Sequence, residues 1–114
     1  MADRDLESVI DMIESGTRIQ AYLKDRTRDD VAGDLALGDA VLYRFTVLGE
    51  AAKRLSREFR ASHPEFDWSD RAGFRDHIVH EYDNVNWDKV WEIANNDLPD
   101  LLAKLRLLAP KESD

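Results

Sequence analysis

Apolar residues recur at three- and four-residue steps along nearly the whole chain, and in no long stretch do β-branched residues alternate with polar ones. That period fits amphipathic helices and excludes half-buried strands. Only five Gly and three Pro interrupt it. The expected fold class is therefore all-α. At 114 residues the expectation is one domain around one core, large enough to fold without staples.

Four helices are predicted. The first runs from about Arg4 to Arg26, with Leu6, Val9, Ile10, Ile13, Ile19 and Tyr22 as its apolar stripe and Met12 beside it. Gly16 costs this helix about 1 kcal/mol relative to Ala, so it is expected where another helix packs closely. Thr27 to Gly33 is polar and is predicted to be a loop. The second helix spans about Leu35 to Ala61 on the spacing of Val41, Phe45, Leu48, Ala52, Leu55 and Phe59. His63-Pro64 ends it, because the residue before proline is pushed out of the helical region. The third starts at Asp67, with Asp67 and Asp70 resembling a capping box, and carries Trp68, Ala72, Arg75, Ile78, Val79 and Tyr82. The fourth begins at an Asn86 cap and carries Trp87, Val90, Trp91, Ala94, Leu98, Leu101, Leu102, Leu105 and Leu108. Pro99 should kink or divide it after Leu98, with Asp97 recapping the second part. Residues 1–110 are expected to form one helical bundle, and residues 111–114 a polar tail. Trp68, Trp87 and Trp91 are candidates either for the core or for a dimer face.

There is no cysteine, so disulfides and thiolate metal sites are excluded. The charged N-terminus lacks an apolar signal core, and no apolar run approaches the roughly 20 residues of a membrane span. The chain is expected to be cytoplasmic, with no membrane association. Its formal charge is −8, which taken alone opposes nucleic acid as a partner. The charge is unevenly spread. Lys53, Arg54, Arg57, Arg60, Arg71 and Arg75 face only Glu58, Glu65, Asp67 and Asp70 in the stretch between residues 53 and 75. A solvated helix face and a phosphate-binding surface both fit that pattern.

The densest cluster of chemically useful residues is Arg75-Asp76-His77-Ile78-Val79-His80-Glu81-Tyr82. It admits three interpretations. His77 and His80, three apart, can share a helical face and hold a metal with Asp76 or Glu81, although no further ligand pattern supports this. The cluster can equally be solvated charge at a helix end, where histidine suits the dipole. It can also be a phosphodiester site. Histidine titrates near neutrality and can take a proton from a 2′-hydroxyl, and arginine's fork of donors fits phosphate oxygens. Arg75 and His80, five apart, stand about 140° apart on a regular helix. They share a site only if the helix ends between them or a second surface completes it. Tyr82 falls on nearly the same face as Arg75.

Arg75-x4-His80 matches the Arg-x(4–6)-His motif of HEPN domains, and Tyr82 extends it to the Arg-x4-His-x-Tyr form of the HepT-like family. The flanks extend the resemblance: Gly49 to Ser56, Trp68 to Phe74, Val90-Trp91 and Asn96-Asp97-Leu98-Pro99 are similar to the corresponding family segments. It covers roughly residues 4 to 106. The resemblance implies a HEPN-type four- or five-helix up-and-down bundle acting as a homodimer, with paired motifs lining a cleft between subunits. It implies metal-independent cleavage of RNA, with no cofactor, in the toxin of a type VII-like toxin–antitoxin system. Arg75 would hold the phosphate and His80 would move protons. Asp76, which stands where the family often has Asn, and Tyr82 would support them. Lys53, Arg54, Arg57 and Arg71 are candidates for RNA contacts. The family also implies a nucleotidyltransferase antitoxin that adenylylates the motif tyrosine, here Tyr82. AMP there would add bulk and negative charge where RNA phosphate must sit. The alternative is a non-catalytic HEPN module that binds or presents substrate to a nucleotidyltransferase.

Overall fold

The computed structural model describes residues 1–66 and 85–109. The expected third helix with its Asp67–Asp70 capping box, Trp68, and the stop at Pro110 all lie outside the described residues. Within them, all regular structure is helical: α1 Asp3–Leu23, α2 Arg28–Ala32, α3 Leu35–Arg54, α4 Arg57–Ser62, α5 Trp87–Glu92, a π-helical turn Ile93–Asp97 and α6 Leu98–Leu108. The all-α expectation holds. α1 lies along α3 and also packs on α6, so these three form the body of the bundle.

The buried face of α1 consists of Asp5, Ser8, Val9, Met12, Ser15, Gly16, Ile19 and Leu23. It is therefore rotated from the predicted stripe. Met12 is fully buried, whereas Ile10 is 47% exposed and stands about 160° around the helix from Met12. Small residues explain the difference. Ser8, Ser15 and Gly16 belong to the inward face because they admit a neighbouring helix, and a count of apolar residues cannot register them. A Cβ on Gly16 would lie 2.6 Å from Leu102 Cδ2, so the close approach expected at this glycine is the contact between α1 and α6. α1 stops at Leu23, short of Arg26, as Asp25 takes φ 60°. Aspartate tolerates that left-handed conformation better than most residues.

The predicted loop from Thr27 to Gly33 contains a helix. Thr27 Oγ1 accepts from the Asp30 backbone N–H at 3.1 Å, and the Thr27 N–H donates to Asp30 Oδ2 at 2.8 Å. This reciprocal capping box starts α2, and it holds the Asp30 carboxyl below its ordinary pKa. α2 buries Val31 completely.

The second predicted helix is divided. All six stripe residues from Val41 to Phe59 are buried as expected, but the backbone turns extended at Leu55 and Ser56. Ser56 Oγ then caps α4 by accepting the Phe59 N–H at 3.0 Å. Downstream, Asn86 Oδ1 accepts the Lys89 N–H at 3.1 Å, confirming that cap. Pro99 does not break the helical backbone. The backbone stays helical through Asp97 and Leu98, and Asp97 makes no capping bond. Proline removes one donor and its ring crowds the carbonyl four residues back. The wider π turn Ile93–Asp97 directly before α6 accommodates both effects and divides the helix there, without the expected recap by Asp97.

Candidate functional site

Arg71, Arg75, Asp76, His77, His80 and Tyr82 lie outside the described residues. The described structure fixes the ground on either side of them, at Phe66 and at Val85. Phe66 lies beside His63 and Lys104, and Val85 beside the first turns of α3.

The upstream side is a corner between α3 and α4 tied down by buried polar chemistry. The Asp5 carboxylate, 4% exposed, accepts the Ser56 backbone N–H and the Ser56 hydroxyl, each at 2.7 Å. Burial pushes the Asp5 pKa up. The two Ser56 hydrogen bonds and the nearby Arg4 charge together outweigh burial and leave it below its ordinary value. Arg60 Nη2 donates to the Ala52 carbonyl at 2.7 Å, satisfying an oxygen at the end of α3. Phe59, His63 and Phe66 stack in series, with ring centroids 4.6 Å and 6.3 Å apart. Lys104 of α6 stands 6.0 Å from the Phe66 ring. His63 Nδ1 and Glu65 Oε2 lie 3.2 Å apart. Backbone hydrogen bonding, aided by His63 and opposed by partial desolvation, holds the Glu65 carboxyl below its ordinary value.

Three of the proposed RNA-contacting residues fall on this corner. Lys53 and Arg54 are exposed in the last turn of α3, and Arg57 is exposed in the first turn of α4. Arg54 Nη2 pairs with Asp11 Oδ2 at 3.1 Å across to α1. Both partners are about half exposed, so the pair stabilises little and remains open to exchange. Arg57 has no ion-pair partner among the described residues. Arg60, counted in the same basic stretch, is turned inward and caps α3. The sequence could not separate it from its neighbours, because only the break at Ser56 rotates it towards Ala52.

The downstream side has the opposite character. Trp87 lays its ring on α3 at Gly38, where a Cβ would lie 3.0 Å from Trp87 Cζ2. Beside it is a recess of about 290 Å³ lined by Ala32, Asp34, Leu35, Gly38, Asp39, Leu42, Val85 and Trp87. Arg28 of α2 clasps Asp88 at 2.7 Å, joining α2 to α5. Sequence reasoning missed this feature, since its wall includes a helix that was read as a loop. Among the described residues no group of three or more His, Cys, Asp or Glu is placed to hold a metal ion, and no helix is long and apolar enough to cross a membrane.

Residues 12–108 match a family model described as Ribonuclease HepT-like. The chain is 34% identical over 84 residues to a protein of Caldanaerobacter subterraneus subsp. tengcongensis named "Putative RNase", covering 74% of this chain and 75% of the relative. It is 30% identical over 104 residues to a "Probable ribonuclease HepT" of Thermococcus cleftensis, covering 91% and 89%. A third relative, a "Gamma-glutamylcyclotransferase and putative RNase" of Methanocaldococcus jannaschii, is 37% identical over 90 residues. The match covers 79% of this chain but only 40% of that longer relative. No solved structure gives a significant match. The helical bundle and these matches define the class, a HEPN-type helical protein of a ribonuclease family. The chain belongs to the ribonuclease HepT-like family.

Proposed function

We propose that this chain is a metal-independent endoribonuclease and the toxin of a type VII-like toxin–antitoxin pair, working in the cytoplasm as a homodimer. The observation that carries this is the match over residues 12–108, which contains Arg75, His80 and Tyr82 in unbroken Arg-x4-His-x-Tyr spacing. Residues 1–110 act as one domain and residues 111–114 as a tail.

In this mechanism His80 takes the proton of a ribose 2′-hydroxyl, and the 2′-oxygen attacks the adjacent phosphorus. The bond from phosphorus to the 5′-oxygen breaks, and the proton held by His80 passes to that leaving oxygen. The products are a 2′,3′-cyclic phosphate and a 5′-hydroxyl. Arg75 holds the phosphate and offsets the charge that builds on its oxygens. Asp76 orients a neighbouring side chain. Because Arg75 and His80 are about 140° apart on a regular helix, the motif copies of two subunits combine at one cleft. Lys53, Arg57 and Arg71, with Arg54 once released from Asp11, receive the RNA backbone. Adenylylation of Tyr82 by a nucleotidyltransferase antitoxin blocks the site.

Induction of the chain alone, beside His80→Ala and Tyr82→Phe variants, tests this. Growth arrest with new RNA fragments is expected, lost in His80→Ala and retained in Tyr82→Phe. A soluble, folded wild-type chain that leaves growth and RNA intact would exclude the nuclease in favour of a non-catalytic module that serves a nucleotidyltransferase.

A further inference from the structure

We propose that the recess between α2, the first turns of α3 and Trp87 is a docking site for a partner protein. The occupant is a segment that inserts one aliphatic side chain flanked by lysine or arginine. Size and charge both lead there. At about 290 Å³ the recess is at the lower limit of small-molecule pockets, which begin near 300 Å³. It suits a side-chain anchor better than a nucleotide or cofactor. Its floor is apolar, made by Leu42, Val85 and Trp87. Leu35 lines it with 81% of its surface exposed. A protruding leucine beside an apolar hollow forms the kind of patch that partner proteins cover.

The rim sets the sign of the partner. Of the residues that line the recess, Asp34 and Asp39 are acidic and exposed, and none is Lys or Arg. Arg28 of α2 is engaged by Asp88 and Asp29. The positive N-terminal end of α3 is already answered by Asp34, whose Oδ1 accepts the Leu37 N–H at 3.0 Å. An acidic rim repels RNA phosphate and attracts a basic segment.

The position gives the site a use. Val85 lines the recess and follows Tyr82 by three positions in the sequence, a reach of at most about 11 Å. A partner seated there is brought to the motif tyrosine. That last step rests on the function proposed above; the recess and its occupant do not.

The test is a titration of the isotope-labelled chain, followed by two-dimensional NMR. The probe is a synthetic amphipathic peptide of Leu and Lys, beside a counterpart carrying Glu for every Lys and an oligo-uridine RNA. The Leu–Lys peptide is expected to shift the Trp87 indole and the Leu35 and Val85 methyl signals, and the Glu peptide and RNA are not. Leu35→Arg should weaken binding about tenfold. Asp34→Asn, which keeps the helix cap but removes a charge, should weaken it about twofold to fivefold. Undiminished binding by both variants would assign the peptide to the overall charge of −8 and overturn the proposal. RNA shifts at Trp87 would also overturn it, as would loss of a dimer in sedimentation of Leu35→Arg, which would make this face a subunit contact. No outcome depends on RNA cleavage, so failure here and failure of the nuclease proposal are separable.

Discussion

The two ends of α3 are built in different ways. At the C-terminal end, polar groups are consumed by the fold: Asp5 by Ser56, Arg60 by Ala52, and Arg54 partly by Asp11. Lys53 and Arg57 are exposed there beside Glu58 and Glu65. At the N-terminal end, the fold consumes a capping box and a Trp87–Gly38 contact, and leaves an apolar hollow with an acidic rim. Phe66 follows α4 and packs beside His63, and Val85 lines the hollow at the N-terminal end. In the two proposals above, one surface receives RNA and the other a protein partner, although the net charge of the chain is −8. The total charge describes neither surface, because charge acts locally within about a Debye length.

The largest effect that would break this contrast lies in the α4 corner. Phe59 is 6% exposed and stacks on His63, so Phe59→Ala should cost about 3–5 kcal/mol in chemical denaturation. A loss below 1 kcal/mol, on the order of a surface change, would show that the corner is not held by its buried groups. Asp5→Ala comes next. It strips both hydrogen bonds from Ser56 and should cost about 1–3 kcal/mol. The folded Asp5 pKa lies below the ordinary 3.8. Its contribution is therefore complete above that value and is lost as pH falls through the folded pKa. The gap in stability between wild type and Asp5→Ala should be flat from neutral pH to about pH 5 and close at lower pH. A gap that widened on acidification would contradict the assigned hydrogen bonds.

Arg57→Glu sharpens the contrast at the level of RNA. The slope of log affinity against log salt should fall by about one, because one phosphate contact is lost and a repulsion gained. Asp34→Asn at the other end should leave that slope unchanged, and equal responses would erase the distinction between the ends. The smallest effect is Leu35→Ala on stability. At 81% exposure it should change the unfolding free energy by less than about 0.5 kcal/mol, and a larger loss would place Leu35 in a buried contact.

The helices were legible where a long apolar period marks them. The α3 stripe, the Asn86 cap and the leucines of α6 follow from spacing alone, because a helix buries one face whatever it packs against. The close approach at Gly16 was legible too. Errors arose where small or polar groups carry the structure. Ser8 and Ser15 belong to the core face of α1, and Thr27 with Asp30 makes a helix out of an apparent loop. In each case a short side chain replaces apolar area with fit or a hydrogen bond, and periodicity cannot see either. For the candidate site, the sequence supplied Arg75, His80 and Tyr82 as a motif and Lys53, Arg54 and Arg57 as cations. It could not separate the exposed Arg57 from the inward-turned Arg60.

The sequence by itself determined the helical class, the buried stripe of α3 and a motif that together with its flanks resembles the family. Each depends on neighbours a few residues apart, where helical geometry is fixed. The tertiary structure decided where α3 breaks, which cations remain exposed, and that Val85 and Trp87 close an acidic-rimmed hollow on α3. Those features depend on residues 51 positions apart in the Asp5–Ser56 bonds, or on Trp87 meeting Gly38. No local rule links such positions; they are joined only when one packed core satisfies all of its buried groups at once.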